Sequence, residues 1–148
     1  MTQNKRLLIE ANGFQKSPPQ GITASPIEND LYNWNATVQG YPNTPYEGGI
    51  FKVIIRLPQE YPHKAPDICF NPPVYHPSVD QKTGTPCLKC LHEWAPTTKL
   101  SKVLTDLQDL LNDPSSGNPV DEAIGKEFTE NKKEFERKAR QWTQTYAK

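Results

Sequence analysis

Between Asn71 and Lys99 the chain carries no sustained hydrophobic period, and this gap separates two regions of different period. Upstream, Tyr32, Trp34, Ala36 and Val38 alternate in steps of two, and Phe51, Val53, Ile55 and Leu57 repeat the pattern after a turn-rich segment. That alternation places one face of each strand in a core and predicts an antiparallel hairpin or meander. Downstream, Leu100, Val103, Leu104, Leu107, Leu110 and Leu111 follow helical spacing until Asp113-Pro114 ends the run. Strands gathered on one side of a long irregular stretch and helices on the other exclude an alternating βαβ chain. They predict an α+β fold with helices packed beside an antiparallel sheet.

The remaining elements complete the order helix, strands, irregular stretch, helices. Leu7, Ala11 and Phe14 lie at i, i+4 and i+7, predicting an N-terminal helix that Gly13 and Ser17-Pro18-Pro19 terminate. Asp67 to Phe70 reads as a short further strand. From Val120 to Lys148, Phe128, Phe135, Ala139, Trp142 and Tyr146 recur on a charged background, as amphipathic helices require.

With 148 residues the chain suffices for one core, so residues 1–148 are expected to form a single domain without terminal extensions. Seventeen basic residues balance seventeen acidic ones, and no stripe of Lys and Arg is present to neutralise many phosphates, so nucleic acid is not an expected partner. Met1 to Phe14 lacks the apolar centre of a signal peptide and no later run is long enough to span a bilayer, so no membrane partner is expected either. An odd count of three cysteines in a chain of this length indicates free thiols in a reducing compartment, the cytoplasm or nucleus.

The irregular stretch holds the chemistry-bearing residues. Cys87 sits in Thr83-Gly84-Thr85-Pro86-Cys87-Leu88-Lys89-Cys90, where Gly84 and Pro86 shape the backbone and favour an accessible thiol. A free cysteine can equally be a small buried hydrophobe, which suits Cys69 between Ile68 and Phe70 in a strand. Cys87-x-x-Cys90 also has the spacing of a thiol oxidoreductase or of half a zinc site, with His76 and His92 available as further ligands. Against these, no βαβ unit accompanies the motif, and the histidines are not paired with it in a zinc spacing. No metal site is therefore expected.

Several segments together resemble the ubiquitin-conjugating enzyme (E2) family. Tyr46-Glu47-Gly48-Gly49-Ile50-Phe51, Tyr61-Pro62-His63-Lys64-Ala65-Pro66, Tyr75-His76-Pro77, Gly84 to Leu88, Trp94-Ala95-Pro96 and Leu110-Leu111-Asn112-Asp113-Pro114 look like its signatures, in its order, over about Lys5 to Lys148. The resemblance implies the ubiquitin-conjugating fold: an N-terminal helix, an antiparallel meander, a crossover helix and C-terminal helices. It makes Cys87 the thiol that accepts ubiquitin or a ubiquitin-like protein from an E1 activating enzyme and passes it to a substrate lysine or to the cysteine of an E3 ligase. It implies no cofactor on this chain, since the activating enzyme uses the ATP. A variant that keeps the fold as a non-catalytic binding module is the alternative.

Three positions depart from the family pattern. His76-Pro77 begins its His-Pro-Asn motif, but Ser78 stands where the asparagine supports an oxyanion or braces the loop. Loss of one oxyanion donor costs on the order of 10²–10³ in rate. Lys89 and Asn118 occupy positions where members that modify lysine often carry acids. The catalytic candidates are therefore Cys87, His76, Ser78 and Asn118, with Asp121 and Glu122 as possible substitutes for the missing acids. The family's partner surface maps onto Lys5 and Arg6, onto His63 with Lys64, and onto Ala95, Pro96 and Thr97.

Overall fold

The computed structural model describes residues 2–147, so the expected domain bounds Met1 and Lys148 lie outside the described residues. Four strands form one antiparallel sheet in chain order: β1 (Ile22–Ile27), β2 (Asp30–Gln39), β3 (Ile50–Arg56) and β4 (Asp67–Phe70). The period-two residues oppose one another across the sheet, with Trp34 facing Ile55, Ala36 facing Val53 and Val38 facing Phe51. All six are buried. Strand β1 was not anticipated from the sequence. Pro26 lies within it and lacks a backbone donor, but β1 pairs only with β2 and so, as an edge strand, tolerates the loss.

Helix α1 (Thr2–Lys16) buries Leu7 and Phe14, and the Phe14 ring meets Trp34 of β2 edge-on with centroids 6.0 Å apart. Gly13 does not end this helix, which runs on to Lys16. A one-turn helix, α2 (Lys89–His92), interrupts the irregular stretch. Helix α3 (Leu100–Asn112) buries Leu100, Val103, Leu104, Leu107, Leu110 and Leu111, the apolar stripe predicted, and joins the same core as the sheet. It stops before Asp113-Pro114, followed by a 3₁₀ turn at Pro114–Ser116.

The C-terminal segment divides at Asn131 into α4 (Glu122–Glu130) and α5 (Lys132–Tyr146). Phe128 and Phe135 meet edge-on at 5.1 Å across that break, and Trp142 stacks on Phe51 of β3 at 5.9 Å. The expected apolar face drifts at its end. Thr143 is buried, whereas Tyr146 is 60% exposed.

Candidate active site

The segment 76–87 is a folded-back loop held by its own backbone. Gly84 N–H donates to Asp80 O at 2.7 Å, Asp80 N–H to Thr85 O at 2.9 Å and Cys87 N–H to Ser78 O at 2.9 Å, with Val79 bridging Pro86. The Asp80 carboxylate accepts the N–H groups of Lys82 and Thr83 at 2.8 and 3.0 Å, closing the tip. Gly84 adopts φ +78°, and its carbonyl accepts Phe70 N–H at 2.8 Å, which ties the loop to β4. A Cβ there would lie 2.0 Å from Phe70 O, so only glycine permits this approach.

His76 fastens the same loop to its neighbours. Its Nδ1 accepts Ser78 N–H at 3.0 Å, so the ring proton sits on Nε2, which donates to Leu110 O of α3 at 2.8 Å. Burial drives its pKa from 6.5 down to about 4, so the ring is neutral. Pro77 O accepts Val120 N–H at 2.8 Å and anchors the segment leading into α4. Three consecutive residues, His76, Pro77 and Ser78, thus join α3, the approach to α4 and the backbone of Cys87.

Cys87 is half-buried and opens onto a cleft of about 520 Å³. Leu88, extended at φ −115°, ψ 129°, precedes α2, and the single turn of α2 folds the chain back on the cysteine. The result is a Cys87 Sγ to His92 Nε2 distance of 3.6 Å. Lys89 and Asn118, at two of the divergent positions, also line the cleft, as do Glu93 from the α2 end and Asp106 and Asp109 from α3.

Of the four catalytic candidates, the structure brings Cys87 and Asn118 to this cleft. His76 and Ser78 are each 0% exposed and do not line it. The Ser78 hydroxyl has no hydrogen-bond partner among the described residues and lies 2.7 Å from where a Cβ on Gly117 would project. Asp121 does not line the cleft either. Its carboxylate accepts Ile124 N–H at 2.9 Å as the N-cap of α4. The acids the cleft does contain were not singled out in the sequence. The readable signal for Asp106 and Asp109 is their i, i+3 spacing on the polar side of the α3 leucine stripe. His92, considered earlier only as a metal ligand, stands instead beside the thiol.

The other cysteines differ from Cys87. Burial, reinforced by the Asp106 carboxylate, pushes the Cys90 thiol up to about 11. Cys69 is half-buried rather than buried, because in β4 it projects to the opposite face from Ile68 and Phe70. Its thiol is also raised, by burial and then by Asp67. Among the described residues no group of three or more His, Cys, Asp or Glu is arranged to hold a metal. In particular, both His76 ring nitrogens are already engaged within the protein.

The three predicted partner segments form one connected surface. Arg6 donates from Nη1 to Pro96 O and from Nη2 to Thr98 O, each at 2.7 Å, so α1 is welded to the loop that follows α2. Trp94 Nε1 donates to Pro62 O at 2.7 Å and joins that loop to the Tyr61–Pro66 turn. Lys5, His63, Lys64, Ala95, Pro96 and Thr97 remain exposed on these segments. Arg6 is half-buried, with its donors committed inside the fold.

Comparison with known proteins agrees with this architecture. A family model described as ubiquitin-conjugating enzyme matches residues 6–143. The chain is 35% identical over 148 residues to ubiquitin conjugating enzyme E2 B of Dictyostelium discoideum, covering 100% of both. Its structure superimposes on the E2 domain of a Toxoplasma gondii ubiquitin conjugating enzyme with a TM-score of 0.90, at 35% identity and 99% coverage of each chain.

Proposed function

The chain belongs to the ubiquitin-conjugating enzyme family of transferases, and on that premise we propose that it carries ubiquitin or a ubiquitin-like protein as a thioester on Cys87. The modifier arrives on an activating enzyme. Cys87 sulfur bonds to its carbonyl carbon, the activating enzyme's sulfur leaves as a thiolate, and the Cys87 proton passes to that leaving group. One thioester replaces another, so this chain needs no cofactor and ATP is spent by the activating enzyme. A second exchange delivers the modifier to a ligase cysteine or a substrate lysine. The reaction belongs in the cytoplasm or nucleus, where thiols stay reduced.

The observation that carries the assignment is the contrast among the thiols. Cys87 and Cys90 both border the cleft, whereas Cys69 lies in β4, and burial with a neighbouring carboxylate raises the thiols of Cys90 and Cys69. A thiolate is the nucleophile in such exchanges, which disfavours those two sites. The connected surface of Lys5, His63, Lys64, Ala95, Pro96 and Thr97 is the candidate docking face for activating enzyme and ligase, with Arg6 as its internal brace.

Lys89 and Asn118 support a preference for thiol acceptors over lysine. An amine must lose a proton to attack, and the acids that assist this in relatives are replaced here. Asp106 is paired with Lys102 at 2.9 Å, and Asp109 accepts the Tyr41 hydroxyl at 3.0 Å, so neither carboxylate is idle.

The test is charging with activating enzyme, ATP and candidate modifiers, read on gels with and without reductant. Wild type and Cys90→Ser form a reductant-sensitive adduct, and Cys87→Ser gives at most a reductant-resistant oxyester. Charging that persists in Cys87→Ala overturns the assignment, and a wild type that never charges favours the binding-module alternative. Single-turnover discharge to lysine and to cysteine then reads the acceptor preference. Lys89→Asp and Asn118→Asp should accelerate lysine transfer, whereas Ser78→Asn must find room beside Gly117.

A further inference from the structure

We propose that His92 is a catalytic residue of this chain, the base that receives the Cys87 proton as the sulfur attacks the incoming thioester. This rests on the assignment of Cys87 above and adds to it the group that handles the proton. His92 Nε2 lies 3.6 Å from Sγ, within hydrogen-bonding reach for sulfur, and both groups line the same cleft. With the ring proton on Nδ1, the Nε2 lone pair accepts the S–H. The arrangement is built by the backbone: α2 is one turn long and begins two residues after Cys87, and its N–H bonds from Leu91 and His92 to Leu88 O, each 3.2 Å, return the histidine to the cysteine.

The step balances without a further reactant. As Sγ bonds to the modifier's carbonyl carbon, the thiol proton moves to Nε2 and the imidazole becomes a cation. When the carbon–sulfur bond to the activating enzyme breaks, the departing thiolate takes that proton and His92 returns to neutral. The other titratable groups on the cleft are Lys89, Cys90 and Glu93 around α2 and Asp106 and Asp109 on α3.

Imidazole is the side chain whose base strength suits proton transfer near neutral pH. The dependence on His92 is therefore expected to be greatest at neutral pH and to fade in base, where hydroxide removes the thiol proton unaided. The cleft is open, so we expect an effect of about tenfold, below the ~10²–10⁴ typical of general bases.

The experiment compares wild type with His92→Gln, which keeps a polar side chain but cannot take up the proton, and with His92→Asn as a second variant. Two rates are measured from pH 6 to 9: iodoacetamide alkylation of Cys87, followed by mass mapping, and charging by activating enzyme. In both assays the variants should fall about tenfold behind at pH 7 and converge with wild type at pH 9. Unchanged melting temperatures show that the exposed substitutions leave the fold intact. Alkylation profiles that superimpose across the whole range overturn the inference. Alkylation needs no modifier, so a histidine-dependent profile in a protein that never charges would uphold the pair and reject the thioester assignment instead.

Discussion

The Glu10 carboxylate of α1 accepts the backbone N–H of Leu100 at 2.6 Å and so caps α3, the helix whose residues Asp106, Asp109 and Leu110 form one wall of the cysteine cleft. Lys99 at the N-cap makes no side-chain cap of its own, and the remote acid takes that place. Glu10 also accepts the Tyr61 hydroxyl at 2.6 Å and Arg6 Nε at 3.1 Å. One buried side chain therefore joins α1, the Tyr61 turn and α3. Desolvation of Tyr61, and then its bond to Glu10, raise the Tyr61 hydroxyl well above the usual tyrosine range.

Replacing this acid should be costly. Glu10→Ala leaves a buried N–H and a buried hydroxyl without an acceptor, and hydrogen bonds to charged groups contribute ~1.5–3 kcal/mol each, so a loss of about 3 kcal/mol or more is expected. Glu10→Gln, which keeps one acceptor oxygen, should lose less. Urea unfolding at pH 7.5 measures both, and a loss below about 1 kcal/mol for Glu10→Ala would show that the three bonds are dispensable.

His76 should make stability depend on pH. Its pKa is about 4 in the fold and about 6.5 in the unfolded chain, so between these values the unfolded state binds more protons. The stabilisation is fully present above pH 6.5 and is lost as the pH falls toward 4. Between pH 7.5 and pH 5.0 the expected loss is about 2 kcal/mol. Unfolding free energies of wild type and His76→Gln at the two values check this. The variant is less stable throughout but should have a flatter slope, and equal slopes would reject the role.

Two glycines should respond oppositely to alanine. Gly13 lies inside α1 with open space around its Cα, so Gly13→Ala should stabilise by about 0.5–1 kcal/mol through helix propensity and a stiffer unfolded chain. Gly84→Ala combines positive φ with a 2.0 Å approach to Phe70 O and should destabilise by at least ~2 kcal/mol. It should also slow charging, because the displaced loop carries Cys87. Melting temperatures of opposite sign are the expected result.

Thiol reactivity should single out Cys87. With Cys90 at about 11, only ~3 parts in 10⁴ of it is thiolate at pH 7.5, and Cys69 is raised in the same direction. Limiting iodoacetamide followed by peptide mapping should modify Cys87 first. Equal labelling of Cys90 would contradict the shielding attributed to burial and Asp106.

The parts of the fold legible in the sequence were those encoded by local period. Leu100 to Leu111 declare α3 because every third or fourth residue must meet the same core, and Trp34 to Val38 and Phe51 to Ile55 declare paired strands because alternate residues share a face. Strand β1 escaped notice because an edge position relaxes the demand for apolar residues and tolerates Pro26. The break at Asn131 and the extension through Gly13 were likewise settled by packing.

The cleft follows a different rule. Sequence alone marked Cys87 through its setting among Gly84, Pro86 and the family-like segments, and it marked Lys89 and Asn118 as departures. It could not reveal that His76 and Ser78 are buried braces, or that Arg6 spends its donors on Pro96 and Thr98. Nor could it show that one turn of helix lays His92 beside the thiol. Periodicity reports only which side of an element faces a core, whereas these contacts depend on how loops without a period cross in space. Backbone hydrogen bonds and side-chain reach decide that crossing, and they exist only once the sheet and α3 have packed.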